Sequence, residues 1–376
     1  MSLNHSTPAL LEGRRSWPFE RALVVYAIVR LVTLGAAAVV NLFTHRGLVR
    51  DLSIWDGAWF LRAVEHGWPQ HLPTSHGHVI ASQIAFFPLF PLLIRSLSFL
   101  TGLSPGVTGL IISAVSGLCA VAAIGLLTRE FTDRATAERA ALLFAVCPGG
   151  FVFNLLYAEG LLVTFIALGL LSLLRRQWLL AGVLGALASA TSPVGVAFVI
   201  SCLVAAGLAM QRDREWRAVV APLLAPFGFL AWMGYLWAHT GRPMAWRLTE
   251  SSGWKSGLSL LYPERVVTKF LFNPFSPTMT GQILVVGTVL GGIGLWLVYR
   301  QRQPAPVVAY ATSAVSLFLF SSPIGLRPRF LMLAFPLTIA AATRWEGRRF
   351  YFLVAASVVL LALMSVESLT SYAVFP

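Results

Sequence analysis

The chain has 376 residues, 57% of them hydrophobic and only 11% charged, with a mean hydropathy of +0.75. A soluble domain carries roughly a quarter of its residues as charges, so a soluble enzyme, a disordered chain and a disulfide-stapled secreted domain are excluded. The net charge of +13 is scattered over short connectors and forms no continuous stripe, which argues against a nucleic-acid partner.

The first twenty residues hold Glu12, Arg14, Arg15 and Glu20 and no apolar core, so no cleavable signal peptide is expected. Apolar stretches suited to crossing a bilayer follow near 21–43, 106–128, 139–157, 159–174, 178–190, 194–210, 217–238, 281–300, 304–321, 328–343 and 350–367. They predict an all-α polytopic membrane protein with about eleven transmembrane helices, forming one membrane-embedded domain over residues 1–376. The connectors 129–139, 175–176, 211–217, 300–302 and 344–349 are short and Arg-bearing, like the N-terminus, and the positive-inside rule makes all of them cytoplasmic. A further apolar segment, 84–103, would invert every later loop if it crossed. It also carries Pro88 and Pro91, which interrupt helical hydrogen bonding, so it reads as an interfacial or re-entrant piece. The long loops 44–105 and 239–280 and the turn 321–329 then share the outer face. Cys119, Cys147 and Cys202 lie in apolar stretches without metal or disulfide spacing.

In the first long loop, the run from Ser53 to Trp68 has Trp55, Trp59 and Arg62 on one helical stripe and Asp56, Phe60 and Ala63 on the next, as in an amphipathic helix at a membrane surface. From spacing alone, Asp56 is either the cap of that helix or a surface carboxylate available for chemistry. The loop holds five of the seven His (His45, His66, His71, His76 and His78), but their spacing fits no zinc pattern and no Asp-x-Asp pair accompanies them, so no metal is expected. Glu159 sits where two spans meet; it is either functional or a helix cap. In the second long loop, Arg242, Arg247, Lys255, Arg265 and Lys269 exceed what orientation alone allows and suit an anionic ligand such as a lipid phosphate. Trp246, Trp254 and Tyr262 suit sugar stacking or, by preference, anchoring at the membrane interface. Arg327 and Arg329 flank Pro328 and offer either a fork for a phosphate or contacts to lipid headgroups.

Six pieces, in order WDGAWFLRAVEHG, AFFPLFPLLIR, CPGGFVFNLLYAEGLL, LASATSPVG, YLWAHTGRPMAW and GLRPRFLMLAFPL, resemble the bacterial PIG-V-like glycosyltransferases. That family lies within the GT-C superfamily of multispanning enzymes using polyprenyl-phosphate sugars, and its eukaryotic members are mannosyltransferases of GPI-anchor assembly. The resemblance implies a GT-C fold with interfacial or re-entrant helices in the first outer loop. It makes Asp56 the catalytic base, and one base suffices because polyprenyl phosphate leaves as an anion without a general acid. It matches Arg329 to the basic residue of a PRY-like motif, which with Arg327 would bind the donor phosphate, Glu159 to a YxE element and His66 to an EHG element. Ser192 stands where relatives often carry Arg, which weakens any donor contact at that turn.

The expected activity is therefore inverting transfer of a sugar, mannose before others, from a polyprenyl-phosphate donor to a glycolipid, polysaccharide or protein acceptor outside the bacterial cytoplasmic membrane. Asp56 is the catalytic residue; Arg329 and Arg327 bind donor phosphate; Trp55, Glu65, His66, Glu159 and Lys255 bind substrate; no cofactor is expected. Partners are the lipid-linked donor, the acceptor and membrane lipids. The rival readings are a flippase of lipid-linked saccharide, for which polar residues near mid-membrane such as Arg30 and Asn154 are few, and a non-catalytic membrane subunit that tolerates loss of Asp56.

Overall fold

The computed structural model describes residues 19–45, 47–272 and 280–370. The expectations for Glu12, Arg14, Arg15 and both chain ends lie outside the described residues. In chain order the helices are α1 (Glu20–Thr44), α2 (Leu48–Leu52), α3 (Asp56–His66), α4 (Leu89–Thr101), α5 (Pro105–Arg129), α6 (Arg134–Ala145), α7 (Glu159–Leu174), α8 (Trp178–Thr191), α9 (Ala197–Asp213), α10 (Val220–Leu224), α11 (Phe227–Thr240), α12 (Ala245–Leu248), α13 (Tyr262–Phe272), α14 (Thr280–Arg300), α15 (Ala305–Leu319), α16 (Pro328–Leu333), α17 (Pro336–Arg344) and α18 (Gly347–Thr370). The described strands form two short antiparallel pairs: β1 (Thr74–Ser75) with β2 (His78–Val79), and β3 (Gly257–Leu258) with β4 (Ser321–Ser322). The chain is an all-α, multi-pass membrane protein.

By length and composition, six described helical stretches can cross a membrane, and a seventh if α6 and the 3-10 turn Pro148–Asn154, bent by 64°, count as one span. The other expected crossings fall on shorter helices such as α7, α8 and α15, or on stretches that the chain breaks. Pro336 lacks the amide that would join α16 to α17, whereas α10 and α11, on either side of Pro226, together count as one of the six, Trp216–Thr240. The segment 84–103 becomes the 13-residue α4, about 20 Å long against a hydrocarbon core of about 30 Å. Its prolines do not interrupt a helix as expected: Pro88 is the N-cap and Pro91 lies in the first turn, where amides have no partner within the helix.

The bundle core is built where small residues let helices approach. α5 packs along α7, with Gly117 and Gly160 too close to their neighbours to accept a Cβ; α7 packs on α8, and α9 on α15. The basic connectors meet at one end of this bundle. Arg175 forks onto Glu130 at 2.8 and 2.9 Å, Arg176 reaches Asp213 and Glu215, and Arg139 reaches Glu346 at 2.7 Å. Glu159 begins α7 and Arg175 follows it, so Glu159 and the basic connectors lie at opposite ends of a helix about 24 Å long.

Candidate active site

Three distant parts of the chain meet around Asp56. The first is the start of α3. Trp55, its N-cap, has φ 58° and ψ −121°, a sparsely populated conformation for a residue with a side chain, and no side chain caps the turn. Asp56 is the first helical residue, so its carboxylate is turned away from the capping role and left for other partners. α3 is held from below: Gly57, Phe60, Ala63 and Val64 are buried, Phe60 packs edge-on against Phe86 and Phe90, and the Leu156 amide donates to the Leu52 carbonyl at 3.0 Å.

The second part is the bend between α6 and α7. Tyr157 is fully buried; its hydroxyl accepts the Asp56 amide at 3.4 Å, and its ring lies 4.5 Å beneath the Arg329 guanidinium. Glu159 follows, at the start of α7. The third is the turn leading into α16. Gly149 permits the bend to sit directly on this turn, since a Cβ there would collide with the Pro328 carbonyl and the Met332 side chain.

Arg329 joins the three parts. Its Nη2 donates to Asp56 Oδ2 at 2.6 Å, its Nε donates to Glu159 Oε1 at 2.5 Å, and Nη2 also pairs with Glu159. One cation thus lies between two carboxylates of very different access: the Asp56 side chain keeps 29% of its exposure and Glu159 only 7%. Glu159 is the anchor and Asp56 the group a ligand can reach. The guanidinium fixes two carboxylates at once through its planar array of donors, which a lysine ammonium does not provide.

Arg327 is half-buried; its Nη2 approaches the Pro323 carbonyl at 3.5 Å, and Tyr262 of α13 donates its hydroxyl to the same carbonyl at 2.9 Å. Burial pulls Arg327 below its usual pKa; Tyr262 opposes this, and the like charge of Arg329 adds a smaller pull in the same direction as burial. An anion there would relieve both effects.

The second long loop closes against the first. Gly253 packs on the backbone of Ile80 and Ala81 where no Cβ fits, and Trp254 then stands edge-on to Trp59 at 5.3 Å and to Phe86 at 5.9 Å. Trp246 packs on Phe87 and Phe229, so both tryptophans turn into the protein. Glu250, which the sequence reading passed over, lies in a π-helical turn, Thr249–Gly253, and its carboxylate accepts from the Ser256 hydroxyl. Burial raises its pKa, with the Asp56 charge adding to the rise.

Of the expected site residues, Trp55, Asp56, Glu159, Arg327 and Arg329 are therefore brought into one neighbourhood. Glu65 and His66 are not: they end α3, nine and ten residues from Asp56, exposed and 3.9 Å from each other. Lys255 is exposed beside Trp254, in a left-handed backbone conformation with φ 54°. Tyr157 and Glu250 are the additions; Tyr157 lies inside the quoted YAE element, whereas Glu250 has no motif around it. Ser192 accepts from the Val194 amide at 3.3 Å, as a turn residue does. Among the described residues, no three His, Cys, Asp or Glu side chains are grouped as a metal would need.

Residues 86–323 match the sequence profile of Glycosyltransferase family 87, a stretch that includes Glu159 and Glu250 and ends just before Arg327. No curated protein matches the chain. Among solved structures, ArnT from Cupriavidus metallidurans, bound to undecaprenyl phosphate, is similar with a TM-score of 0.54 at 15% identity, over 91% of this chain and 63% of that one. The oligosaccharyltransferase of Archaeoglobus fulgidus in the apo form is similar with a TM-score of 0.51 at 15% identity, over 93% of this chain and 56% of that one. This likeness is one of fold, the GT-C type, and the chain spans less than two thirds of either protein's length.

Proposed function

The chain belongs to glycosyltransferase family 87, and from that premise we propose that it is an inverting transferase moving a sugar, mannose by preference, from a polyprenyl-phosphate donor to an acceptor hydroxyl. The observation that carries this reading is Asp56: an accessible carboxylate held by Arg329, on a residue whose backbone amide donates to the Tyr157 hydroxyl. In this reading Asp56 takes the acceptor's hydroxyl proton as the oxygen attacks the anomeric carbon. The bond from that carbon to the phosphate oxygen breaks, its electron pair leaves with the phosphate, and the proton stays on Asp56. The leaving group is already a stable anion, so a cation is needed there and a general acid is not.

Arg327 is the principal candidate for that cation. Arg329, engaged by two carboxylates, offers the phosphate only its remaining face and serves chiefly to orient the base. Lys255 would meet a donor or lipid phosphate, Trp55 would contact the substrate next to the base, and Glu65 and His66 would touch an extended acceptor. The PIG-V-like motifs support mannose, and ArnT's bound undecaprenyl phosphate supports a polyprenyl carrier. The separation of Glu159 from the basic connectors along α7 supports an active site on the outer face of a bacterial cytoplasmic membrane, with the N-terminus inside. The acceptor is then a glycolipid, a polysaccharide or a protein.

The test supplies membranes containing the protein with β-linked polyprenyl-phosphate [3H]mannose, with and without EDTA. Label should pass into an acceptor fraction as an α-mannoside, in both conditions. A β product would exclude single displacement, and no transfer from any polyprenyl-phosphate hexose would remove the donor class.

A further inference from the structure

Glu250 lies in the Thr249–Gly253 turn, and Trp254, which follows that turn, stands edge-on at 5.3 Å to Trp59, one helical turn along α3 from Asp56. The Glu250 carboxylate, whose pKa burial and the Asp56 charge both raise, makes no ion pair among the described residues. Arg329 serves Asp56 and Glu159 and leaves Glu250 outside that arrangement. The carboxylate is held instead by its own loop: the Ser256 amide donates to the Glu250 carbonyl at 2.9 Å, and the Ser256 hydroxyl donates to the side chain. The loop is closed further by the Trp254 amide on the Thr249 carbonyl at 3.0 Å. π-helical turns of this kind carry an energetic cost and occur disproportionately at functional sites.

The chemistry of this corner limits what can bind there. Arg329 is already engaged by Asp56 and Glu159, so the further carboxylate of Glu250 disfavours a phosphate in this corner and the donor's charged part belongs beside Arg327. An ionised carboxylate only accepts hydrogen bonds, so its partner must donate them. Trp254 closes the same loop and packs edge-on against Trp59 and Phe86, which lie parallel within 10° of each other, giving an apolar aromatic cluster where the loop meets α3. A neutral ring bearing hydroxyls on its edge and C–H groups on its face fits both features.

We propose that Glu250, fixed by Ser256 and flanked by Trp254, is a positioning residue that binds a hydroxyl of a saccharide ring next to Asp56. The inference rests on the glycosyltransferase reading and deepens it by naming the residue that holds the sugar. The ring is either the donor's sugar or the acceptor's, since both present the same hydroxyls to the base.

The test uses the purified full-length protein in lipid nanodiscs, as wild type, Glu250→Gln and Glu250→Ala. The Gln variant keeps the shape of the side chain and removes a charge that is costly to bury, so its fold is secure. Three readouts are taken: KM for polyprenyl-phosphate mannose in hydrolysis by water, KM for methyl α-D-mannoside as acceptor, and saturation-transfer NMR of methyl α-D-mannoside binding. A hydrogen bond to a charged group contributes about 1.5–3 kcal/mol, so Glu250→Ala should raise one KM by roughly 10- to 150-fold, with kcat changed by less than about threefold. Glu250→Gln should fall between the two. A rise confined to the donor KM assigns the ring to the donor; a rise in the mannoside KM with loss of its NMR signal assigns it to the acceptor. Unchanged KM values and binding in both variants, or a fall in kcat alone, would overturn the proposal. Should wild type turn over no donor but bind the mannoside through Glu250, the proposed function fails and the saccharide site stands.

Discussion

Among the described residues two arginines are buried, and their partners are opposite in kind. Arg30, within α1, donates to the Gly150 carbonyl and, at 3.0 Å, to Asn154 Oδ1, and lies over the rings of Tyr26 and Phe153. Arg329 is held by the carboxylates of Asp56 and Glu159. The first serves neutral groups left bare where the chain bends after α6, so it stabilises a break in a helix. The second holds a carboxylate that remains partly exposed, an arrangement with a use only if something else comes to that carboxylate. In the proposed site, then, the buried cation has charged partners, one of which stays accessible, whereas the one at the bend after α6 has neutral oxygens and rings as partners.

The contrast is broken most severely by Arg329→Met, which strands two carboxylates, one almost fully buried. Removing one partner of a buried ion pair costs about 3–5 kcal/mol, so folded protein recovered by size-exclusion chromatography should drop sharply. The double variant Arg329→Met/Glu159→Gln should restore the folded yield without restoring transfer. Recovery of transfer as well would mean that Arg329 has only a folding role. Arg30→Met should act on the other side of the comparison. It leaves a buried carbonyl without its donor, at about 1–3 kcal/mol, so the melting temperature should fall while transfer per folded molecule stays within about twofold. Collapse of activity in the remaining folded protein would erase the distinction between the two arginines. Tyr157→Phe gives the smallest effect: the ring under Arg329 stays and only a 3.4 Å hydrogen bond to the Asp56 amide is lost. A change of up to about 1 kcal/mol corresponds to a fall in kcat of at most about fivefold, with an unchanged melting temperature.

Most of the fold was legible because its dominant signal is local. A run of apolar residues such as 21–43 or 106–128 becomes a helix whatever lies elsewhere, and α1 and α5 follow those limits within two residues. What local pattern concealed is where helices stop: Pro88 and Pro91 read as interruptions but open α4, because a proline is harmless in a first turn. The site was legible by residue type and illegible by pairing. Asp56 and Arg329 are 273 positions apart, and no spacing rule connects them. Glu65 and His66 looked like neighbours of Asp56 in the sequence, but nine and ten helical residues put them about 14 to 15 Å along α3. Glu250 sits in the polar run Thr249–Gly253 with no neighbour that marks it; the only signal was that it is one of two carboxylates, with Glu264, among the basic residues of that loop.

The central claim is that Asp56 is the base. It is tested most directly by the single-turnover rate of sugar transfer from polyprenyl-phosphate mannose in wild type and Asp56→Asn, each in nanodiscs and normalised to folded protein, with donor binding measured separately. The amide keeps the size of the side chain and a hydrogen-bonding oxygen for Arg329 but cannot take a proton. General-base catalysis contributes about 10²- to 10⁴-fold, so the rate should fall by at least about a hundredfold while donor affinity changes little. A rate within about threefold of wild type at full donor occupancy would contradict the account, leaving Asp56 as a partner of Arg329 and nothing more.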